Sequence, residues 1–159
     1  MKLLYWIKDV PFSFVCNCVW WIGHLGLLRK TWYDYDGYYK EVASQEENYK
    51  NLSWLAPEIG WFEYIPDKID WRSWKITFIA RSGGDCEDFA IFGVWLLGLI
   101  GIPAKIRYLR KKGTMVGHAI CVADDKSVII SNNKLIQIGR ENRDRSILSY
   151  FNGAYDAIV

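Results

Sequence analysis

The stretch "CEDFAIFGVWLLGLIG" constrains the fold more than any other part of the chain. Phe89, Ala90, Phe92, Gly93, Leu96, Leu97 and Ile100 run down it at helical spacing, and it is apolar nearly all round. A helix without a polar face has to be covered on most sides, so the rest of the chain must wrap it. Both ends are legible. Asp85 stands where an N-cap stands, and Glu87 and Asp88 occupy the first turn, where the helix dipole favours acids. Gly98 and then Gly101-Ile102-Pro103 end the helix.

The chain beyond this helix reads as a sheet. "AKIRYLRKK", "GHAICVAD" and "SVIISNN" have strand character, with "DDK" as the hairpin turn between the last two. "KLIQIG" is a further strand, and "ENRDRSILSYFNGAYDAIV" a short helix and tail. Upstream, the pattern predicts a helix over 36–53, then a loop with short pieces around Pro57, Gly60 and Pro66, then a short helix over 70–81. In the first thirty residues Leu3, Ile7, Val10, Phe14, Cys18, Trp21, Leu25 and Leu28 form one helical face. Lys8-Asp9-Val10-Pro11 breaks the apolar run, and Asn17 and His24 interrupt it, so it reads as an amphipathic or buried helix and not a membrane anchor. Helices, a central helix and an antiparallel sheet make an α+β layout. The expected organisation is a single domain over 1–159, with a helical N-terminal part (1–60), a core (61–138) and a C-terminal tail (139–159).

Composition removes several functions. A net charge of +2 is too small to argue for nucleic acid. Four cysteines in a chain of this length, two of them spaced Cys16-x-Cys18, read as free thiols in a reducing, cytoplasmic setting. With two histidines and no Cys/His cluster, no metal site is expected. The aromatic N-terminal half, "WYDYDGYY" above all, reads first as packing and second as a surface for a protein partner.

Cys86 is the residue with chemistry. A helix N-terminus stabilises a thiolate, and its backbone N–H groups can bind the oxyanion formed when that thiolate attacks a carbonyl. Asp85 and Glu87 would oppose ionisation unless they point away. A cysteine nucleophile needs a base, and His118 on the second strand is the candidate. A three-residue turn at Asp124–Lys126 would set His118 opposite Asn132, which could orient its ring, whereas a turn of another length shifts the partner to Ser131 or Asn133.

"YIPDKIDW", "GGDCEDFAIF", "GIPAKIR" and "HAICV", in that order, resemble the transglutaminase-like superfamily, most closely its bacterial and phage cysteine peptidases. The resemblance covers about residues 61–138. It implies a papain-like core with Cys86 as nucleophile and His118 as base. Family members often end the next strand in Asp-Asn, where this chain has Ser131-Asn132, so a Cys86-His118-Asn132 set is expected. The family's upstream aromatic near the oxyanion hole corresponds to Trp71 or Trp74, with Asp85 in support as the cap. The implied activity is a cofactor-free cysteine hydrolase, a peptidase or amidase of protein or peptide substrates acting through a thioester, or else an acyltransferase that passes the acyl group to an amine. The alternative is a non-catalytic binding or structural module on the same fold, such as a component of a phage particle.

Overall fold

The computed structural model describes residues 37–42, 44, 52–67, 75–114, 117–123 and 126–159. The helical face expected over the first thirty residues lies outside them, as do Trp71 and Trp74. Residues 37–42 are helical, and a 3-10 turn at Leu52–Trp54 leads into α1 (Leu55–Gly60). This corrects the expected loop: Pro57 lies in the first turn of α1, where its missing N–H costs no helix bond. β1 (Glu63–Tyr64) follows, then α2 (Lys75–Arg81), β2 (Gly83–Gly84) and the apolar helix α3 (Cys86–Leu99). The remaining elements are β3 (Lys105–Arg110), β4 (Gly117–Ala123), β5 (Val128–Ser131), β6 (Lys134–Gln137), α4 (Arg143–Tyr150) and β7 (Ala157–Ile158).

Five strands form an antiparallel sheet in the order β6-β5-β4-β3-β7. With α3 packed against this sheet, the architecture is α+β as expected. Both faces of the sheet are covered. Ala119, Cys121, Ala123, Val128 and Ile130 join the core around α3. Leu109, Ile120, Val122, Ile129, Ile136 and Ile138 join Ile147 of α4 on the other side. Two-sided burial explains why β4 and β5 read as nearly continuous apolar runs.

The far side of α3 is covered by aromatic side chains. Phe62 and Phe78 lie 4.7 Å apart between ring centroids, and Phe92 packs on both at 5.0 and 4.8 Å. Phe89 meets Phe78 edge-on at 4.9 Å. Toward the sheet the helix comes close because residue 93 has no side chain. A Cβ there would stand 2.8 Å from Ile130 Cδ1 and 3.1 Å from the Cys121 Cβ.

Two details of the sheet differ from the expectation. Ala123 pairs with Val128, so the β4–β5 turn holds four residues and not three. Ser127 closes that turn at φ 54°, a left-handed conformation that a serine does not advertise. In addition, the segment expected as a tail returns to the sheet. β7 pairs with β3 and forms the edge of the sheet, Leu109 opposite Ile158 and Arg110 opposite Ala157.

Candidate active site

The site begins with two glycines. Gly83 and Gly84 form a parallel pair with Glu63 and Tyr64, in which the Glu63 N–H donates to the Ser82 carbonyl (2.9 Å) and the Ile65 N–H to that of Gly84 (2.8 Å). A Cβ on Gly83 would run into the Glu63 carbonyl oxygen, and one on Gly84 into the Asp88 carboxylate. Both positions are therefore glycine for want of space. Beyond them Asp85 caps α3. Its Oδ1 accepts from the Glu87 N–H (2.9 Å) and the Asp88 N–H (3.1 Å), and Asp88 Oδ2 accepts in return from the Asp85 N–H (3.4 Å). This reciprocal capping box explains the acids around the cysteine. It also explains why the Asp88 residue is only 1% exposed.

Cys86 is thus the first residue of α3, half-buried, with its sulfur against β4. The backbone of Ala119 lies near enough to favour its thiolate. The Ala119 N–H is available for a structural reason. Tyr108 exchanges both backbone bonds with Val159, so its opposite neighbour Ala119 points its own groups away from β3. On its other side, the β4–β5 ladder runs from Ala123–Val128 to Cys121–Ile130 and stops short of Ala119. That leaves the Ala119 N–H unused by the β4–β5 ladder.

The His118 ring is also half-buried. Its Nε2 and the Ser131 Oγ share a hydrogen bond of 2.8 Å, and Ser131 is 8% exposed. The expected register with Asn132 is corrected here. A four-residue turn brings His118 level with Asn133, so the diagonal neighbour on its face is Ser131, and Asn132 falls on the opposite face. Ser131 pairs with Lys134, leaving Asn132 and Asn133 as a two-residue hairpin loop with Asn132 at φ 48°. Asparagine tolerates that conformation. Asn-Asn before a fresh apolar run is the sequence signal for this turn.

Three aromatic residues complete the surroundings, and none of them is among the sequence candidates for the site. The ring of Tyr155 stacks on His118 at 6.0 Å and 18°, and Phe151 meets it edge-on at 5.6 Å and 69°. Tyr64, 50% exposed, stands on β1 level with Gly84. Burial raises the phenol pKa of both Tyr64 and Tyr155, and in both the charge of Cys86 adds to the rise.

Electrostatically the pair is neutral. Burial pushes the Cys86 thiol up; the Ala119 backbone opposes this, and Asp85 and Glu87 raise it further. Of the two outcomes left open by the sequence, the acids therefore meet the first: they remain close enough to disfavour a thiolate. Burial lowers the pKa of His118. A buried thiol and an uncharged imidazole can still exchange a proton when a substrate brings them within reach.

Helix, sheet and cysteine form a small papain-like arrangement, and solved structures share it. Three structures of LapG from Legionella pneumophila superpose on 67–69% of this chain and 66–67% of theirs, at 21–22% identity and TM-scores of 0.51–0.53. One of the three is described as calcium-bound and another as EGTA-treated. The fold is transglutaminase-like. No family model and no curated protein sequence matches the chain. The likeness is to a bacterial protein and gives the transglutaminase-like core no phage relationship.

Proposed function

We propose that this chain is a transglutaminase-like cysteine hydrolase of protein or peptide substrates, with Cys86 as nucleophile, His118 as base and Ser131 as the group that orients the base. The observation that carries this is Cys86 at the capped start of α3, which packs on β4, the strand that bears a histidine whose ring is already held by Ser131. LapG, which shares the fold, is a transglutaminase-like cysteine protease, and that supports the same chemistry here.

With Nε2 donating to Ser131, Nδ1 keeps a lone pair that can take the thiol proton as sulfur attacks a carbonyl. The tetrahedral oxyanion would be met by the Cys86 N–H at the start of α3. The imidazolium then returns its proton to the leaving amine, giving a thioester that water hydrolyses. Because thiol and imidazole are both neutral at rest, proton transfer accompanies attack and no stored thiolate is needed. Ser131 fixes the ring without supplying charge, so it stabilises the imidazolium less than a carboxylate would.

The calcium-bound form of LapG raises the question of a cation. Among the described residues no group of three or more His, Cys, Asp or Glu side chains is arranged to hold one. Asp85 and Asp88 turn carboxylate oxygens onto the backbone of the capping box. This donor set does not fit a metal ion at the start of α3, and the proposed reaction routes no step through one.

The raised thiol and the serine in the third position favour a second reading, a non-catalytic module on the same fold. Cleavage of a peptide library by the wild-type chain separates the two. Hydrolysis that disappears in both Cys86→Ala and His118→Ala supports the enzyme. A wild-type chain that cleaves nothing, and whose Cys86 reacts with iodoacetamide equally fast in His118→Ala, leaves the binding module.

A further inference from the structure

His118 is oriented on one side by a single hydroxyl, a bond of 2.8 Å that can swing about the Ser131 side chain. What restrains the plane of the ring is the C-terminal segment. Tyr155 lies nearly parallel to it, Phe151 stands across it, and the two aromatic rings brace each other at 5.5 Å and 83°. Tyr150 braces Phe151 in turn at 5.1 Å.

The segment carrying these rings is itself fastened. The Asp156 N–H donates to the Arg110 carbonyl at 2.9 Å, and both carboxylate oxygens of Asp156 accept from the Lys112 N–H at 2.9 Å. Further along, Val159 and Tyr108 exchange two backbone bonds, at 2.8 and 3.1 Å, and β7 lies along β3. The residue opposite His118 in the β3–β4 ladder is Leu109, which also pairs with Ile158 of β7. Histidine and clamp are thus mounted on the same short stretch of β3.

We infer that the C-terminal segment 151–159 is a positioning element for the base: Tyr155, backed by Phe151 and held by the Asp156 clasp, fixes the plane of the His118 imidazole. The inference rests on the reading of His118 as the base, but its test does not need turnover. The titratable group stacked on the ring is Tyr155 from the C-terminal segment; Cys86 from α3 bears on Tyr155, and both bear on Tyr64 from β1. Ser131 faces it from β5 and does not titrate.

The experiment is NMR of the full chain with labelled histidine, tracking the His118 ring resonances across pH. In Tyr155→Ala the upfield displacement caused by the stacked ring is lost. The His118 pKa rises toward the ordinary histidine value, because burial is what lowers it. Tyr155→Phe keeps the ring and should keep both signatures. Asp156→Ala, an exposed change that removes only the clasp, should move both in the same direction by a smaller amount, and it decides the matter if Tyr155→Ala does not fold. Unchanged His118 shifts and titration in a folded Tyr155→Ala or Asp156→Ala chain would overturn the inference. Loss of cleavage in Cys86→Ala, or its absence in wild type, bears on the proposed function and leaves this result untouched.

Discussion

Replacing Asp85 separates two effects that the structure places on one carboxylate. The first is capping. Asp85 Oδ1 accepts two backbone N–H groups of α3, and its own N–H returns a bond to Asp88. Loss of an N-cap acceptor costs about 0.5–2 kcal/mol, and a reciprocal box in a part-buried setting belongs in the upper half of that range. Asp85→Ala should therefore lower stability by about 1–2 kcal/mol, or roughly 2–8 °C in Tm for a chain of this size. Asparagine caps almost as well as aspartate, so Asp85→Asn should lose only the charge–dipole part, about 0.3–1 kcal/mol. The second effect is on Cys86, whose pKa the Asp85 charge raises. Both substitutions remove that charge, so both should shift the pH dependence of Cys86 alkylation to lower pH. Urea denaturation reads the first effect, and iodoacetamide labelling quantified by mass spectrometry reads the second. If Asp85→Asn is as destabilising as Asp85→Ala, the cap is not what the carboxylate supplies. If neither variant moves the alkylation profile, the acids do not bear on the thiol.

The same geometry makes other substitutions informative. Gly93→Ala gains about 1 kcal/mol of helix propensity but drives a methyl against Ile130 and Cys121, an overpacking that costs about 1–3 kcal/mol. Urea denaturation should show net destabilisation, and a stabilised variant would contradict the close approach of α3 to β4. The Cys121 thiol is pushed from 9.0 up to about 12 by burial. The unfolded chain therefore gives up that proton near pH 9 while the native chain keeps it, so stability falls as pH rises from 9 toward 12. The loss is of the order of 4 kcal/mol, and Cys121→Ala should shrink this alkaline limb in pH-dependent denaturation, leaving the part that Cys86, Tyr64 and Tyr155 contribute. Ser131→Asp places a carboxylate against His118 Nε2 and should raise the histidine's pKa, seen by NMR titration; an unmoved titration would mean that residue 131 does not hold the ring.

The sequence exposed those parts whose cause is local. An all-apolar helix with an acidic first turn announces its start, its burial and the position of Cys86. The short apolar run after His118 announces β4. What stayed hidden depended on single backbone conformations or on distant partners. Ser127 adopts a left-handed φ that only the closing of the β4–β5 turn requires, and that one added residue moves the His118 contact from Asn132 to Ser131. Phe151 and Tyr155 sit at helical spacing in a stretch of weak pattern. Nothing near them in sequence shows that β7 will return to β3 and bring their rings onto a histidine far upstream.

The pairing of β1 with β2 has a consequence for the order in which the molecule assembles. A parallel pair cannot form from a tight hairpin. Gly83–Gly84 can lie against Glu63–Tyr64 only after the chain between them has crossed over through α2. The sulfur likewise meets Ala119 only when α3 and β4 have docked. Each wall around Cys86 is therefore a long-range contact that must overcome loop-closure entropy before it is rewarded. Cys86 should be among the last side chains to find its native surroundings. In refolding monitored by pulsed thiol labelling, protection of Cys121 in the helix–sheet core should precede protection of Cys86.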